Sequence, residues 1–335
     1  MPNIFEYATS ELSQDAFLCY LLSFAKKDYE QDQQAKEEYD LACSFLSKCG
    51  INESVEKILL QEKYVDVLVL TKSYAIIIED KKFTTENNNQ IKRYIDKITK
   101  KYPNKNIKAV YFKSGYTSIQ EKEKLKEIAQ IFSLEEIISL INTYKGKDMI
   151  INMWKENIEK TYQEINAVYD KIEKLKNIMI CPDNLTPLQQ DVYLDELTQN
   201  FKSDFSAVSW YRSGQGRTPH ICFEDVEIYS SGKCQIKVGI YLMLRKSLHI
   251  VVKQHLYKSP DNRIKLNEYN KYPEEKQKLL EKQYKLQNSV IKSDWEKKNN
   301  DKDKLTILSK PTTDDIKECI ADIKDLQQLV SKLKE

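Results

Sequence analysis

The sequence predicts an α/β protein: a mixed-sheet core in the N-terminal part, then a long helix, a small antiparallel α+β domain and C-terminal helices. Three observations carry this reading. Two apolar runs stand back to back in VDVLVLTKSYAIIIEDK, with helix-patterned segments on either side. A seam of apolar residues three and four apart extends from Ile151 to Met179. Beyond it lie four strand-like runs separated by polar turns.

Residues 10–26, SELSQDAFLCYLLSFAK, form the first helix, with Ser10 and Ser13 as candidate N-caps and a broad apolar face. A more polar helix over 28–48 stops near Gly50. Strands follow at 56–63, 65–71 and 74–82, the last two joined through Thr71-Lys72-Ser73. A helix from Asn88 to Lys101 ends before Pro103. The strand IKAVYFK, 107–113, leads to Gly115. Ser118 caps a charged helix to Gln130, and a short helix over 133–143 closes a domain assigned to residues 1–145.

Residues 146–180 are one long helix. Its seam of Ile151, Trp154, Ile158, Thr161, Ile165, Val168, Ile172, Leu175 and Met179 suits either a connector packed on its own chain or a coiled-coil dimer interface. Residues 181–258 hold a helix at 186–202 and strands at 204–211, 220–229, 234–244 and 248–257, an antiparallel meander. The loop from Ser213 to Arg217 is either a mobile hairpin or a phosphate contact, since glycine lets backbone amides approach an anion. Residues 259–335 are charged and helical, with helices at 274–292 and 313–334 and an exposed linker over 296–304. The last helix carries its own seam, Ile316 to Leu333, which could lie against the long helix within one chain or across a homodimer through 147–180 and 313–334.

Composition bounds the function. At 335 residues the chain can bury a sizeable core, and its net charge of +2 means that any nucleic-acid surface must be local. Seven scattered cysteines without a C-x-x-C pair suit reduced thiols. No signal-like or membrane-spanning segment is evident, so a soluble cytoplasmic protein is expected. His220, His249 and His255 with Cys222 and Cys234 lack the close pairs of a structural zinc site. P-loop, dinucleotide and Ser-His-Asp patterns are absent.

The chemistry concentrates at the end of the second apolar run. Side chains alternate along a strand, so Glu79 and Lys81 share a face and Asp80 points away. An acid-x-Lys triplet alone means little in this Lys-rich chain; it recurs at Glu274/Lys276, Glu296/Lys298, Asp315/Lys317 and Asp322/Lys324. Only Glu79/Lys81 follows an apolar strand whose neighbour bears an acid, Asp66. Mg²⁺ takes oxygen ligands and keeps several waters, so convergent carboxylates hold it while leaving room for a phosphate. Asp66 and Glu79 are the natural ligands, the Asp80 backbone carbonyl a third, and Lys81 the group facing an attacking water. Strand ends paired in a surface salt bridge are the alternative. Glu11 opens the first helix, and the plain reading of its position is that it favours the positive end of the helix dipole.

The order helix-strand-strand-strand-helix-strand, with Asp66 and Glu79-Asp80-Lys81 on adjacent strands, resembles the PD-(D/E)xK nuclease superfamily. Gln90 and Tyr94 form the Q-x-x-x-Y of its RecB-type and lambda-exonuclease-type branch. IFEYATSELSQDAFLCYLL and YAIIIEDK resemble an uncharacterised bacterial and phage branch. Val65 replaces the proline of the pattern, and the resemblance covers residues 1 to about 145. It implies a restriction-endonuclease-like fold and a Mg²⁺- or Mn²⁺-dependent nuclease acting on nucleic acid, most simply DNA, in phage defence or mobile-element biology; the alternatives are a nuclease-fold protein that binds nucleic acid or a partner without cutting, and a nuclease inactive until a partner or ligand activates it. It further implies metal ligation by Glu11, Asp66 and Glu79, Lys81 at the attacking water, and Gln90 and Tyr94 shaping the site. The helix of Gln90 also carries Lys92, Arg93, Lys97, Lys100 and Lys101, either a solvated face or one that tracks phosphates.

Overall fold

The computed structural model describes residues 3–7, 10–86, 89–175, 178–211, 219–231, 233–244, 247–259, 262–264, 266–290, 295–297 and 306–334. The chain divides into two compact units, residues 1–169 with 187–192, and residues 170–186 with 193–335. The division runs through the long helix rather than before it. The expected separate domains at 181–258 and 259–335 form one unit, because late strands join the meander's sheet.

The first unit is built on a five-stranded sheet in the order β1-β2-β3-β4-β5: β1 (Val55–Glu62), β2 (Val65–Thr71), β3 (Tyr74–Lys81), β4 (Asn106–Lys113) and β5 (Gln130–Phe132). The first three strands are antiparallel neighbours, and β4 and β5 run parallel to β3. The crossover from β3 to β4 is α3 (Gln90–Lys101), as a parallel connection requires. Apolar residues on both faces of β2 and β3 are what a central strand covered on two sides needs.

One face carries α3. Ala75, Ile77, Leu68 and Leu70 pack with Tyr94 and Ile98 of that helix. Beside them Ala109 and Tyr111 meet Ile91 of α3 and Leu125 of α4 (Ile119–Leu125). The other face carries α1 (Glu11–Ser23), α2 (Lys36–Lys48), α5 (Leu134–Ile141) and the start of α6 (Met149–Leu175). Its centre is aromatic: Trp154 stacks on Phe17 at 4.2 Å, and Phe45 on Phe132 at 4.5 Å.

Three elements differ from expectation. The second helix starts at Lys36, not 28, because Lys27–Tyr29 forms a 3₁₀ turn and a polar stretch follows. The helix capped by Ser118 ends at Leu125, where its apolar anchor is buried. The chain then turns so that Gln130–Phe132 can pair with β4, a strand absent from the sequence reading. Among seam positions of α6, those from Ile151 to Val168 are buried within the single chain.

The second unit holds the expected meander of β6 (Val208–Tyr211), β7 (His220–Ser230), β8 (Gln235–Leu244) and β9 (Leu248–Ser259). The charged tail adds β10 (Asn262–Arg263) and β12 (Thr306–Pro311) along β9, and β11 (Glu296–Lys297) along β12, where part of a linker was expected. The rest of that linker, from 298, and the Ser213–Arg217 loop lie outside the described residues. Helices α7 (Pro187–Phe201), α8 (Pro273–Ser289) and α9 (Ile316–Ser331) follow the sequence pattern, and the α9 seam packs on β7 and β8. No helix among the described residues is long and apolar enough to cross a membrane.

Candidate active site

The site lies where β2 begins and β3 ends. Val67 pairs with Ile78, and the same register carries Asp66 beside Glu79. By alternation Asp66, Glu79 and Lys81 share the face that packs on α3. Lys81 Nζ sits 2.5 Å from Glu79 Oε1 and 3.9 Å from Asp66 Oδ2, and it donates to the Asp80 carbonyl at 3.0 Å. Asp66 Oδ2 accepts from the Asp80 amide at 2.9 Å, fixing one carboxylate on the adjacent strand. One ammonium thus lies against two carboxylates.

Glu79 is sealed from solvent, and its Oε1 lies against the Lys81 ammonium. Burial pushes its carboxyl up to about 8; the Lys81 charge opposes this and the Asp66 charge adds to it. A buried carboxylate beside a second, half-exposed carboxylate is an oxygen donor set suited to a hard divalent cation. One or two carboxylates plus substrate phosphate suffice for Mg²⁺. Asp66 and Glu79 are the residues that could hold it. Among the described residues no cluster of three or more His, Cys, Asp or Glu side chains is arranged for a metal. The backbone of Glu11 begins α1, but its side chain lies outside the described residues.

Asp80 does not join this set through its side chain. It points to the opposite face, fully buried, where Gln14 Nε2 of α1 donates to Oδ1. Its carbonyl remains at the site, already in contact with Lys81.

Gln90 and Tyr94 come together as their spacing implies. Gln90 Nε2 donates to Tyr94 Oη at 2.7 Å. Burial pushes the Tyr94 hydroxyl up; the Gln90 bond opposes this, and the charges of Glu79 and Asp66 raise it further. The hydroxyl is therefore within electrostatic reach of both carboxylates. Lys92 and Arg93 lie on the exposed side of α3, away from the face that buries Ile91, Tyr94 and Ile98.

A second polar group supports the site, and the sequence reading missed it. Lys113 of β4 is the register partner of Lys81. It is nearly inaccessible, donates to the Thr84 carbonyl and lies 3.5 Å from Glu121. Tyr111 donates to the same Glu121 at 2.6 Å, and burial followed by that carboxylate's charge drives its hydroxyl far above the ordinary value. Glu121 also closes a capping box with Ser118. Lys124 pairs with Glu86, whose Oε1 accepts from the Ile91 amide at 3.4 Å in the first turn of α3. These contacts tie the segment after β3 to α4 and aim α3. The one signal in the sequence was Ser118-x-x-Glu121.

Compared with known proteins, the chain matches no family model, no curated protein and no solved structure.

Proposed function

We propose that the first unit is a metal-dependent nuclease that hydrolyses phosphodiester bonds, most simply in DNA. The observation that carries this reading is the grouping of Asp66, Glu79 and Lys81 at one strand end, with Glu79 fully buried and the Lys81 ammonium lying against both carboxylates. Asp66 and Glu79 would hold Mg²⁺ or Mn²⁺. When bound, such an ion polarises a phosphate oxygen and lowers the pKa of a coordinated water.

The side chains divide the remaining work. Lys81 brings a compact positive charge to the place where a phosphate would meet the carboxylates, and its three donors can orient water. Its contact with the Asp80 carbonyl holds the ammonium at the strand end. Tyr94 accepts from Gln90, so its own proton remains to be donated to an oxygen at the site. The Lys113–Glu121 pair and the Lys124–Glu86 pair hold the loop between β3 and α3, and with it Gln90.

The test is a cleavage assay on linear and circular duplex DNA, single-stranded DNA and RNA, with Mg²⁺, Mn²⁺ or EDTA. Metal-dependent cutting by the wild type that is lost in Lys81→Ala is the expected result. Cutting that persists undiminished in Lys81→Ala would remove the proposed site, and no cutting of any substrate would remove the proposed activity.

A further inference from the structure

The hairpin that feeds β2 breaks a local rule. Glu62 pairs with Val65, so Lys63 and Tyr64 are the two central residues of a two-residue turn. Both have positive φ, +55° and +74°. Turns of this kind are ordinarily built from Asn-Gly or Asp-Gly, because a side chain in the left-handed region crowds the backbone. A tyrosine there carries strain that glycine would not, of order 1 kcal/mol. Strain of this sort persists where function requires the residue.

Tyr64 is 77% exposed, so packing does not explain it. It is not loose, however. Lys97 Nζ of α3 lies 4.7 Å from the Tyr64 ring centroid and 5.8 Å from that of Tyr94. Glu62, next to the turn, pairs with Lys101 one helical turn further on. The hairpin tip is thus pinned to α3, and one ammonium joins the exposed ring to the tyrosine at the site. Lys63 and Arg93 add exposed positive charge nearby in the sequence of these two elements. Tyr64 itself stands two residues before Asp66.

We infer that Tyr64 is a base-stacking residue, and that with Lys97 it holds an unpaired nucleotide of a single-stranded nucleic acid beside the Asp66–Glu79–Lys81 group. The ring takes a base on the face away from Lys97, and the ammonium over the ring takes the adjoining phosphate. A base within a duplex presents no free face to such a ring. The inference rests on the nucleic-acid reading above and narrows its substrate to strands, or strand ends, that are unpaired at the site.

The experiment uses the full chain in EDTA, so that nothing is cut. Fluorescence anisotropy is read with a labelled oligo-dT and with a blunt duplex of equal length. Tyr64→Gly removes the ring and relieves the turn, so it folds at least as well as the wild type. Its affinity for oligo-dT should fall about 5- to 100-fold, with duplex affinity unchanged and with Tyr64→Phe close to the wild type. Lys97→Ala should weaken oligo-dT binding and lower the salt slope by about one. An unchanged oligo-dT affinity in Tyr64→Gly, an equal loss on both probes, or a wild type that binds neither would overturn the inference. Oligo-dT binding that depends on Tyr64 in a chain that cuts nothing would retire the nuclease reading and leave this one standing.

Discussion

Lys81 and Lys113 are register partners on parallel neighbouring strands, yet each ammonium answers to a different carboxylate. Lys81 lies against Glu79 at the open side of the strand end, while Lys113 turns to Glu121 and the Thr84 carbonyl beneath it. Two like charges on adjacent strands would repel without this division. It gives the pair distinct duties: one faces the candidate metal position, and the other holds the loop that leads to α3.

Removing the inner lysine should therefore act on stability first. Lys113→Met leaves Glu121 buried with Tyr111 as a remaining donor, and breaking a buried pair from one side costs about 3 kcal/mol. The urea midpoint of the first unit should drop accordingly. Pairing Lys113→Met with Glu121→Gln should lose less than the sum of the two single changes, since the two side chains share one interaction. A midpoint unmoved by Lys113→Met would show that the ion pair does not hold the loop.

Metal binding separates the roles of the outer residues. Asp66→Asn or Glu79→Gln should weaken Mn²⁺ binding at least about tenfold, the loss seen even for residues one step removed from a metal. Lys81→Ala should bind Mn²⁺ no worse than wild type, because it removes a competing cation from between the carboxylates. Isothermal calorimetry decides this. Equal Mn²⁺ affinity in wild type and both carboxylate variants would exclude Asp66 and Glu79 as ligands.

What the sequence revealed and what it concealed follow from the range of the interactions involved. β2 and β3 were legible because uninterrupted apolar runs flanked by turn residues report burial directly. Asp66, Glu79 and Lys81 stood out because charge at the end of such a run is unusual. The Gln90–Tyr94 contact followed from helical spacing. Lys113 and Glu121 were hidden because lysine and glutamate are common throughout this chain. Only the parallel pairing of β3 with β4 sets Lys113 behind the site. β5 and β11 escaped because strands of two or three residues carry no periodicity. The side-chain direction of Asp80 was legible from alternation alone, although its Gln14 partner was not.

The second unit carries a pH-sensitive contact of its own. His255 of β9 is buried beside Arg263, whose guanidinium donates to the ring, with Tyr241 Oη 3.3 Å from Nε2 and Lys253 on the same strand. Burial, and then the charges of Arg263 and Lys253, push its pKa well below the ordinary 6.5. The unfolded chain therefore binds a proton that the folded chain refuses. Stability is full above about pH 6.5, the unfolded value, falls as pH drops below it, and levels off once the folded value is passed. The urea midpoint of this unit should be lower at pH 5.5 than at pH 7.5. In His255→Gln, which has no proton to take up, that difference should shrink. The same difference in both proteins would assign the acid sensitivity to other groups.

Gly115 tests how tightly the site's strand end is held. It stands two residues past the end of β4, and a Cβ built on it would overlap the carbonyl oxygen of Lys82, where the chain leaves β3. The Ser114 amide already donates to the Lys81 carbonyl at 3.1 Å, so the two exits are bound together and neither backbone can yield alone. Gly115→Ala must separate them. Overpacking of this kind costs about 1–3 kcal/mol, and here the displacement falls on the residue next to Lys81. The variant should melt at lower temperature. It should also lose more cleavage than a remote substitution of equal destabilisation, assayed well below its melting point. If it matches the wild type in both melting and cleavage, the exits of β3 and β4 can part without disturbing Lys81.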